Sequence, residues 1–460
     1  MSDTFDVVVI GGGPAGESAV GRCAAVGLSV ALVERELVGG ECSYWGCIPS
    51  KTLIRPGDVL AAARRVPGAV EAVTGDLDTD SAFAQRDYMT SSWRDDGQVR
   101  WLEEIGATLV RGHGRLAGDR VVEVARNGSI TRLEARRAVI LATGTGPLLP
   151  PIEGLAEAMA WTNREATQGS VVPGRLLVLG GGAVGVELAQ AYRRLGSEVA
   201  LVEGASRLLG REEPFAGEEV RGAFEKEGIE VLLDARATGV SRSNGTVGLR
   251  LADGRALEGD ELLVGVGRRP STTDLGLETV GLEPGRLVEV DDSLRAVGVE
   301  GEWLFAIGDV NGRAPLTHMG KYHARLAGDA ILGKEVRAVA DHRALPRVTF
   351  TDPQVAAVGL TEEQAREQGL TVRGVTYGTG DVAGAYTRGN GIRGTSKLVV
   401  DEHRGIVVGA TFTGPDVQEL LHSATIAIVA EVPLETLWHA VPSFPTVSEV
   451  WLRLLEAYGL

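Results

Sequence analysis

Two of the three cysteines in this 460-residue chain lie close together, in Gly39-Gly40-Glu41-Cys42-Ser43-Tyr44-Trp45-Gly46-Cys47-Ile48-Pro49-Ser50-Lys51. A disulfide that acts as a staple gains most by closing a long loop. Cys42 and Cys47 are too near each other for that. They suit a small strained ring that opens and closes by thiol–disulfide exchange. The alternative is a pair of buried cysteines at the start of a helix. Cys23, in Gly21-Arg22-Cys23-Ala24-Ala25-Val26, occupies an apolar helix position and reads as core packing.

The elements that must position this pair precede it. Phe5-Asp6-Val7-Val8-Val9-Ile10 is an apolar run suited to a buried parallel strand. Gly11-Gly12-Gly13-Pro14-Ala15-Gly16 follows and opens a helix running to about Val26; a second apolar run from Ser29 ends at Glu34. This is a complete dinucleotide-binding βαβ fingerprint. Gly11, Gly13 and Gly16 allow the tight turn and close approach to a pyrophosphate. The helix N-terminus stabilises the phosphate charge, and Glu34 takes the ribose hydroxyls. The pattern returns about 170 residues later. There, Arg175-Leu176-Leu177-Val178-Leu179 leads into Gly180, Gly182 and Gly185, then a helix, then Val199-Ala200-Leu201-Val202 ending at Glu203. Two complete units argue for two nucleotides bound together. A dithiol directly after the first suggests that electrons pass from a cofactor to the sulfurs.

The dithiol stretch resembles the redox-active disulfide of the class I pyridine nucleotide–disulfide oxidoreductases, which include dihydrolipoyl dehydrogenase, glutathione and mycothione reductases, and mercuric reductase. The likeness rests on Gly39-Gly40, the two cysteines and Ile48-Pro49-Ser50-Lys51. Ser43-Tyr44-Trp45 departs from the Leu-Asn-Val type common in dihydrolipoyl dehydrogenases. The resemblance covers nearly the whole chain and implies an α/β fold. Two Rossmann-like domains, for FAD and NAD(P), would be joined to a C-terminal α+β dimerisation domain. The implied boundaries are 1–150 for the first FAD part, 151–272 for NAD(P), 273–340 for the second FAD part, and 345–460 for the interface domain. Gly40, Thr143, Gly144 and Asp309 would join the FAD site, with Asp309 accepting from the flavin's sugar-alcohol chain. Gly267 would close the nicotinamide site. The helix beginning near Thr317-His318-Met319, which contains Lys321 and His323, would point its N-terminus at the flavin pyrimidine.

The implied path runs from nicotinamide to flavin to disulfide to a small-molecule acceptor. By resemblance, Cys47 lies nearest the flavin as the charge-transfer thiolate, and Cys42 exchanges with substrate. Lys51 and Glu187 match a pair beside the reactive flavin edge. Glu203 bonds a ribose 2′-OH and repels a 2′-phosphate, which favours NADH. Arg207 and Arg211 keep NADPH as the alternative.

The C-terminus departs from the family. Dihydrolipoyl dehydrogenases and glutathione reductases carry His-Pro-Thr-x-x-Glu, whose histidine is the thiol's acid/base and whose glutamate holds it. Here the run is Phe444-Pro445-Thr446-Val447-Ser448-Glu449. Phenylalanine cannot move protons, and such help is worth ~10²–10⁴-fold. His439 is the nearby candidate for a substitute base; the plainer reading is a histidine at an interface turn. Dihydrolipoamide is therefore a poor expected substrate, and a quinone, an unidentified disulfide or a metal ion fits better. The rivals are a plain dihydrolipoyl dehydrogenase and, from another class, a flavin-bound redox sensor or binding module.

Composition agrees with this reading. A net charge of -16 disfavours nucleic acid or anionic membrane as partner. No apolar run is long enough to span a bilayer, and no secretory signal is evident after Met1-Ser2-Asp3-Thr4. The expectation is a cytoplasmic homodimer, in a compartment where a lone close cysteine pair is more often catalytic than structural. No residues show metal-ligand spacing.

Overall fold

The computed structural model describes residues 3–460; Met1 and Ser2 lie outside the described residues. The chain forms two compact units, each assembled from three separate segments. The first comprises 1–49, 86–147 and 268–342; the second comprises 50–85, 148–267 and 343–460.

The first unit is built on β1 (Asp3–Ile10), α1 (Pro14–Ala24) and β2 (Val30–Glu34). The dithiol helices are α2 (Gly40–Tyr44) and α3 (Cys47–Arg65), the latter continuing into the second unit. Then come α4 (Thr79–Met89), α5 (Asp96–Glu104), β3 (Thr108–Arg111), β4 (His113–Leu116), β5 (Val121–Arg126) and β6 (Ser129–Leu141). The sheet order is β3-β2-β1-β6-β5-β4, with Leu304–Ala306 pairing parallel to β6. β1 lies between β2 and β6, parallel to both. Val7, Val8 and Val9 are wholly buried there, which explains the unbroken apolar run. The glycine turn after β1 therefore sits at the carboxyl end of central parallel strands, where nucleotides bind in such sheets.

Two expectations for this region need correction. The sequence predicts short strands from Thr108 to about Ala138 and a separate apolar strand from Val139 to Gly144, but these are partly one element, β6. Its first half is mostly exposed and antiparallel to β5, while its second half is buried beside β1. The sequence also predicts one helical segment from about Ser81 to Ile105, but Ser91, Ser92 and Trp93 divide it into α4 and α5. These three residues have φ of 51°, 49° and 53°. Left-handed backbone costs a non-glycine residue about 1–2 kcal/mol, and composition gives no warning of it.

The second unit holds a parallel sheet in the order Glu230–Leu232, Glu198–Val202, Arg175–Leu179, Glu261–Val264. The helix Ala183–Leu195 follows the second glycine turn. A five-stranded antiparallel sheet occupies the C-terminal part. Its order is Arg347–Thr349, Gln354–Gly359, Ile406–Gly414, Thr395–Asp401, Val372–Gly378. The sequence predicts strands near 348–353, 396–400 and 406–410, and the structure adds Gln354–Gly359 and Val372–Gly378.

Within this unit α3 is held by a buried charge cluster. Arg194 donates to Asp58 of α3, to Glu227 and to Asp352 at 2.7–3.0 Å, and Arg65 of α3 also pairs with Asp352. Burial would raise Asp352, but Arg194 and Arg65 outweigh it and hold the carboxyl below its ordinary value. For Asp58 burial wins over Arg194 and pushes it up to about 6. A carboxyl raised by folding is favoured in its protonated form. Its contribution is therefore greatest below the unfolded value near 4 and is lost as pH climbs through about 6. Asp58→Asn removes that dependence. Denaturant unfolding should show the wild type losing on the order of 2 kcal/mol relative to the variant between pH 4 and 7. A pH-independent difference would contradict the assignment.

Candidate active site

The dithiol is positioned by α2, which carries Cys42, and by the start of α3 at Cys47. Both cysteines are half-buried, in the dithiol form. The hydrogen bond to Cys47, then burial, push the Cys42 thiol far above its ordinary value, against the opposing influence of Thr317 and Lys321. Cys42 therefore keeps its proton in the dithiol. Cys47 Sγ lies 3.4 Å from Thr317 Oγ1, at the first residue of the helix Thr317–Ile331. That helix thus presents its positive end to the sulfurs.

The dithiol turn rests on the first glycine loop. Gly39 N–H donates to Gly12 O at 2.8 Å. At Gly40, with φ of 56°, a Cβ would stand 2.7 Å from Gly13 Cα. A Cβ on Gly16 would stand 1.9 Å from Gly11 O, whereas one on Gly13 would meet nothing within 4 Å. Gly16 thus closes the strand–helix contact, while Gly13 faces open space at the helix N-terminus that Pro14 and Ala15 begin. Glu34 is buried and accepts from Gly12 N–H and Glu36 N–H, each at 2.6 Å.

FAD fits these residues on an observation independent of the glycine pattern. Thr143 Oγ1, at the end of β6, is buried with no hydrogen-bond partner. It stands beside Gly144, whose φ is 67°. Asp309 accepts from Thr145 Oγ1 at 2.7 Å, and Arg268 Nε donates to the same hydroxyl at 2.7 Å. Arg268 also lies 3.7 Å from Glu41 and 4.0 Å from Asp309. His323, wholly buried, accepts from Gly308 N–H at 3.2 Å and pairs with Asp341 at 2.8 Å, which supports the turn that carries Asp309. Thr145, Arg268 and the supporting role of His323 were missed in the sequence. Their partners are distant in the chain, and only the Gly-Arg-Arg-Pro run gave any signal.

The second glycine turn repeats the first. A Cβ on Gly185 would stand 1.9 Å from Gly180 O, while Gly182 is open. Glu203 accepts from Gly181 N–H at 2.5 Å and Ala205 N–H at 2.7 Å, as Glu34 does from its own loop. Arg207 donates to Gly210 O at 2.9 Å. Gly267 has φ of 150°. Also in this unit, Lys51 Nζ meets Glu187 Oε2 at 2.6 Å and lies 4.9 Å from the Phe350 ring centroid. Glu187 Oε1 accepts from Phe350 N–H at 2.9 Å. Glu187 is thus a buried, doubly engaged carboxylate rather than a solvated surface charge.

Near the C-terminus Phe444 is 75% exposed and Val441 84%; His439 is also exposed. Glu449 is buried. One oxygen accepts from Arg453 at 2.7 Å, and the other has no partner.

Residues 5–324 match the family described as pyridine nucleotide-disulphide oxidoreductase, and residues 345–454 match its dimerisation domain. The chain belongs to the pyridine nucleotide–disulphide oxidoreductases. It is similar to a mercuric reductase of Staphylococcus aureus, with 30% identity over 97% of this chain and 81% of that enzyme. It is similar to a dihydrolipoyl dehydrogenase of Rhizobium etli, with 31% identity over 100% of this chain and 99% of that one. Among solved structures it resembles the Cu(II) complex of the HOCl-induced flavoprotein disulfide reductase RclA from Escherichia coli. The TM-score is 0.87 at 26% identity, over 99% of each chain. As a pyridine nucleotide–disulphide oxidoreductase, the protein is an enzyme of the FAD- and NAD(P)-dependent kind. Its dimerisation domain supports a homodimer. Among the described residues, no helix is long and apolar enough to cross a membrane.

The orphaned hydroxyl of Thr143 gives a test. Thr143→Val leaves no buried group unsatisfied without ligand, so the apoprotein should melt no lower than the wild type. FAD affinity, followed by quenching of flavin fluorescence, should fall about fivefold, the worth of one hydrogen bond. Unchanged affinity would remove Thr143 from the site.

Proposed function

We propose that the protein oxidises NADH, holds FAD through Gly11, Gly13, Glu34, Thr143 and Asp309, and delivers electrons to a Cys42–Cys47 disulfide. From there they pass to an acceptor that needs no histidine of the interface domain. The chemistry that FAD would supply when bound is hydride acceptance from the reduced nicotinamide and transfer of electrons in pairs. The chain's own residues do the remainder. As two electrons open the S–S bond, Cys42 takes up one proton and keeps it, in line with the direction of its shift. Cys47 carries the thiolate, favoured by Thr317 and the helix start behind it. Lys51, paired with Glu187, supplies fixed positive charge one helical turn along α3 from Cys47.

Phe444 carries the choice of acceptor. It stands where related enzymes place the base, and it is a largely exposed apolar ring. Glu449, which would hold that base, is instead tied to Arg453. A quinone or a metal ion suits such a site better than a dithiol. The likeness to mercuric reductases and to a reductase crystallised with Cu(II) supports the metal-ion arm. Glu203 supports NADH, since its carboxylate would repel a 2′-phosphate, and Arg207 is turned to its own loop.

The deciding experiment offers the NADH-reduced enzyme, without oxygen, a benzoquinone, Cu(II) or the disulfide lipoamide. Quinone or Cu(II) should reoxidise it at least a hundredfold faster than the lipoamide couple, with Phe444→His restoring part of the latter. Fast lipoamide reduction by the wild type would overturn the reading. Cys47→Ser should abolish the long-wavelength absorbance of the two-electron-reduced enzyme. Glu203→Gln should raise kcat/KM for NADPH relative to NADH about tenfold; no change would remove Glu203 from cofactor selection.

A further inference from the structure

The residues between the cysteines, Ser43-Tyr44-Trp45, have no part in the chemistry above. Cys42 rides on α2, which is five residues long. A helix this short leaves most of its backbone groups without intrahelical partners and cannot hold itself. Its orientation has to be imposed from outside.

Residues 93–95 impose it. Trp93 Nε1–H donates to Tyr44 O at 3.1 Å, at the end of α2. The Tyr44 hydroxyl donates to Val38 O at 3.1 Å and lies 3.4 Å from Arg94 O. Asp95 accepts from Val38 N–H at 2.7 Å. Tyr44 is fully buried, and its ring comes within 2.9 Å of where a Gly39 Cβ would stand. Trp93 is itself the last of the three left-handed residues. Its ring faces the guanidinium of Arg86 at 5.2 Å, and Arg86 is the largest wholly buried side chain among the described residues. Backbone held in this way persists only where its surroundings over-determine it, and such strain gathers at functional sites.

We propose that Trp93 and Tyr44 are positioning residues that clamp the Cys42-bearing turn and so set the ring-closing equilibrium of the Cys42–Cys47 disulfide. This rests on the reading of that pair as a redox couple. Ring closure depends on how often the two sulfurs meet, an effective concentration fixed by the backbone that carries them. Freeing the end of α2 lets Cys42 wander in the dithiol, while the disulfide form, already tied, gains little. Unclamping therefore favours the dithiol.

The test equilibrates holoenzyme anaerobically in mixtures of oxidised and reduced glutathione and counts free thiols by alkylation and mass. In that equilibrium Cys42 and Cys47 lose two protons and two electrons as their S–S bond forms. The S–S bond of oxidised glutathione breaks, taking up both to give two thiols. Trp93→Phe, which keeps an aromatic ring but loses the donor, should lower the ring-closing constant about tenfold, equivalent to about 30 mV. Tyr44→Phe should move it in the same direction. Ser92→Gly, which relieves the left-handed backbone but keeps the indole bond, should raise thermal stability and leave the constant unchanged. Ring-closing constants equal to wild type in both aromatic variants, even with lowered melting temperature, would overturn the clamp. Should Trp93→Phe fail to fold, Tyr44→Phe decides alone. If the wild-type pair does not titrate at all, the redox reading fails with it; a wild type that titrates beside unshifted variants removes only the clamp.

Discussion

The contact on which the first unit depends is backbone against backbone, between the dithiol turn and the glycine loop. Gly40 closes to where a Cβ would stand 2.7 Å from Gly13 Cα, and Gly39 N–H bonds Gly12 O. No side chain fits between them at that point. The loop that would cradle a pyrophosphate therefore also fixes where the chain to Cys42 begins. That seating is fixed in turn by β1, held between β2 and β6 in a wholly apolar core. The reacting sulfurs are thus registered to a parallel sheet through two short turns, with no long side chain in the path that could add rotamer freedom.

Much of this was legible in the sequence because it depends on local rules. A glycine at a positive φ, a carboxylate at the end of a strand and an apolar run bounded by glycine each leave a mark in a few consecutive residues. Both fingerprints were therefore readable, and the structure gives Glu34 and Glu203 the same pair of backbone donors. The Lys51–Glu187 pair was foreseen from resemblance alone. Its partners are 136 residues apart, and no spacing rule connects them. Arg268 and Thr145, 123 residues apart, were missed for the same reason. The interruption at Ser91-Ser92-Trp93 was missed for a different one. None of these residues is a habitual breaker, so the left-handed turn is a tertiary effect that propensity cannot encode.

Charge is distributed unevenly around α3, and the distribution has a logic. Its first turn carries a thiol and no acidic residue, and it meets the Thr317 hydroxyl at a helix N-terminus. Farther along, Asp58 and Arg65 are absorbed into a buried cluster around Arg194. A buried ion pair is weak evidence for stability, because desolvation offsets much of its attraction. It does confer specificity, since each carboxylate in the cluster is costly if left unpaired. The cluster thereby fixes the rotation of α3 about its own axis, and so the direction in which Lys51 leaves it.

On the proposed reading, Phe444 alone would redirect the electron exit of such a scaffold. A base on a neighbouring domain lets a thiol exchange with a soluble dithiol, because each exchange needs a proton moved at the outer sulfur. If Cys42, Cys47, Lys51 and Glu187 act as proposed, phenylalanine there would leave the flow of electrons into the disulfide untouched, since none of them lies in the dimerisation domain. What would change is the exit. Glu449 is buried and accepts from Arg453 through one oxygen, while its other oxygen remains unpaired. A carboxylate kept buried with a free oxygen retains an unmet demand for a donor. The exposed face at Val441 and Phe444, by contrast, demands only apolar cover. An acceptor with a flat apolar body, such as a quinone, would meet the second demand and could draw its two protons from water.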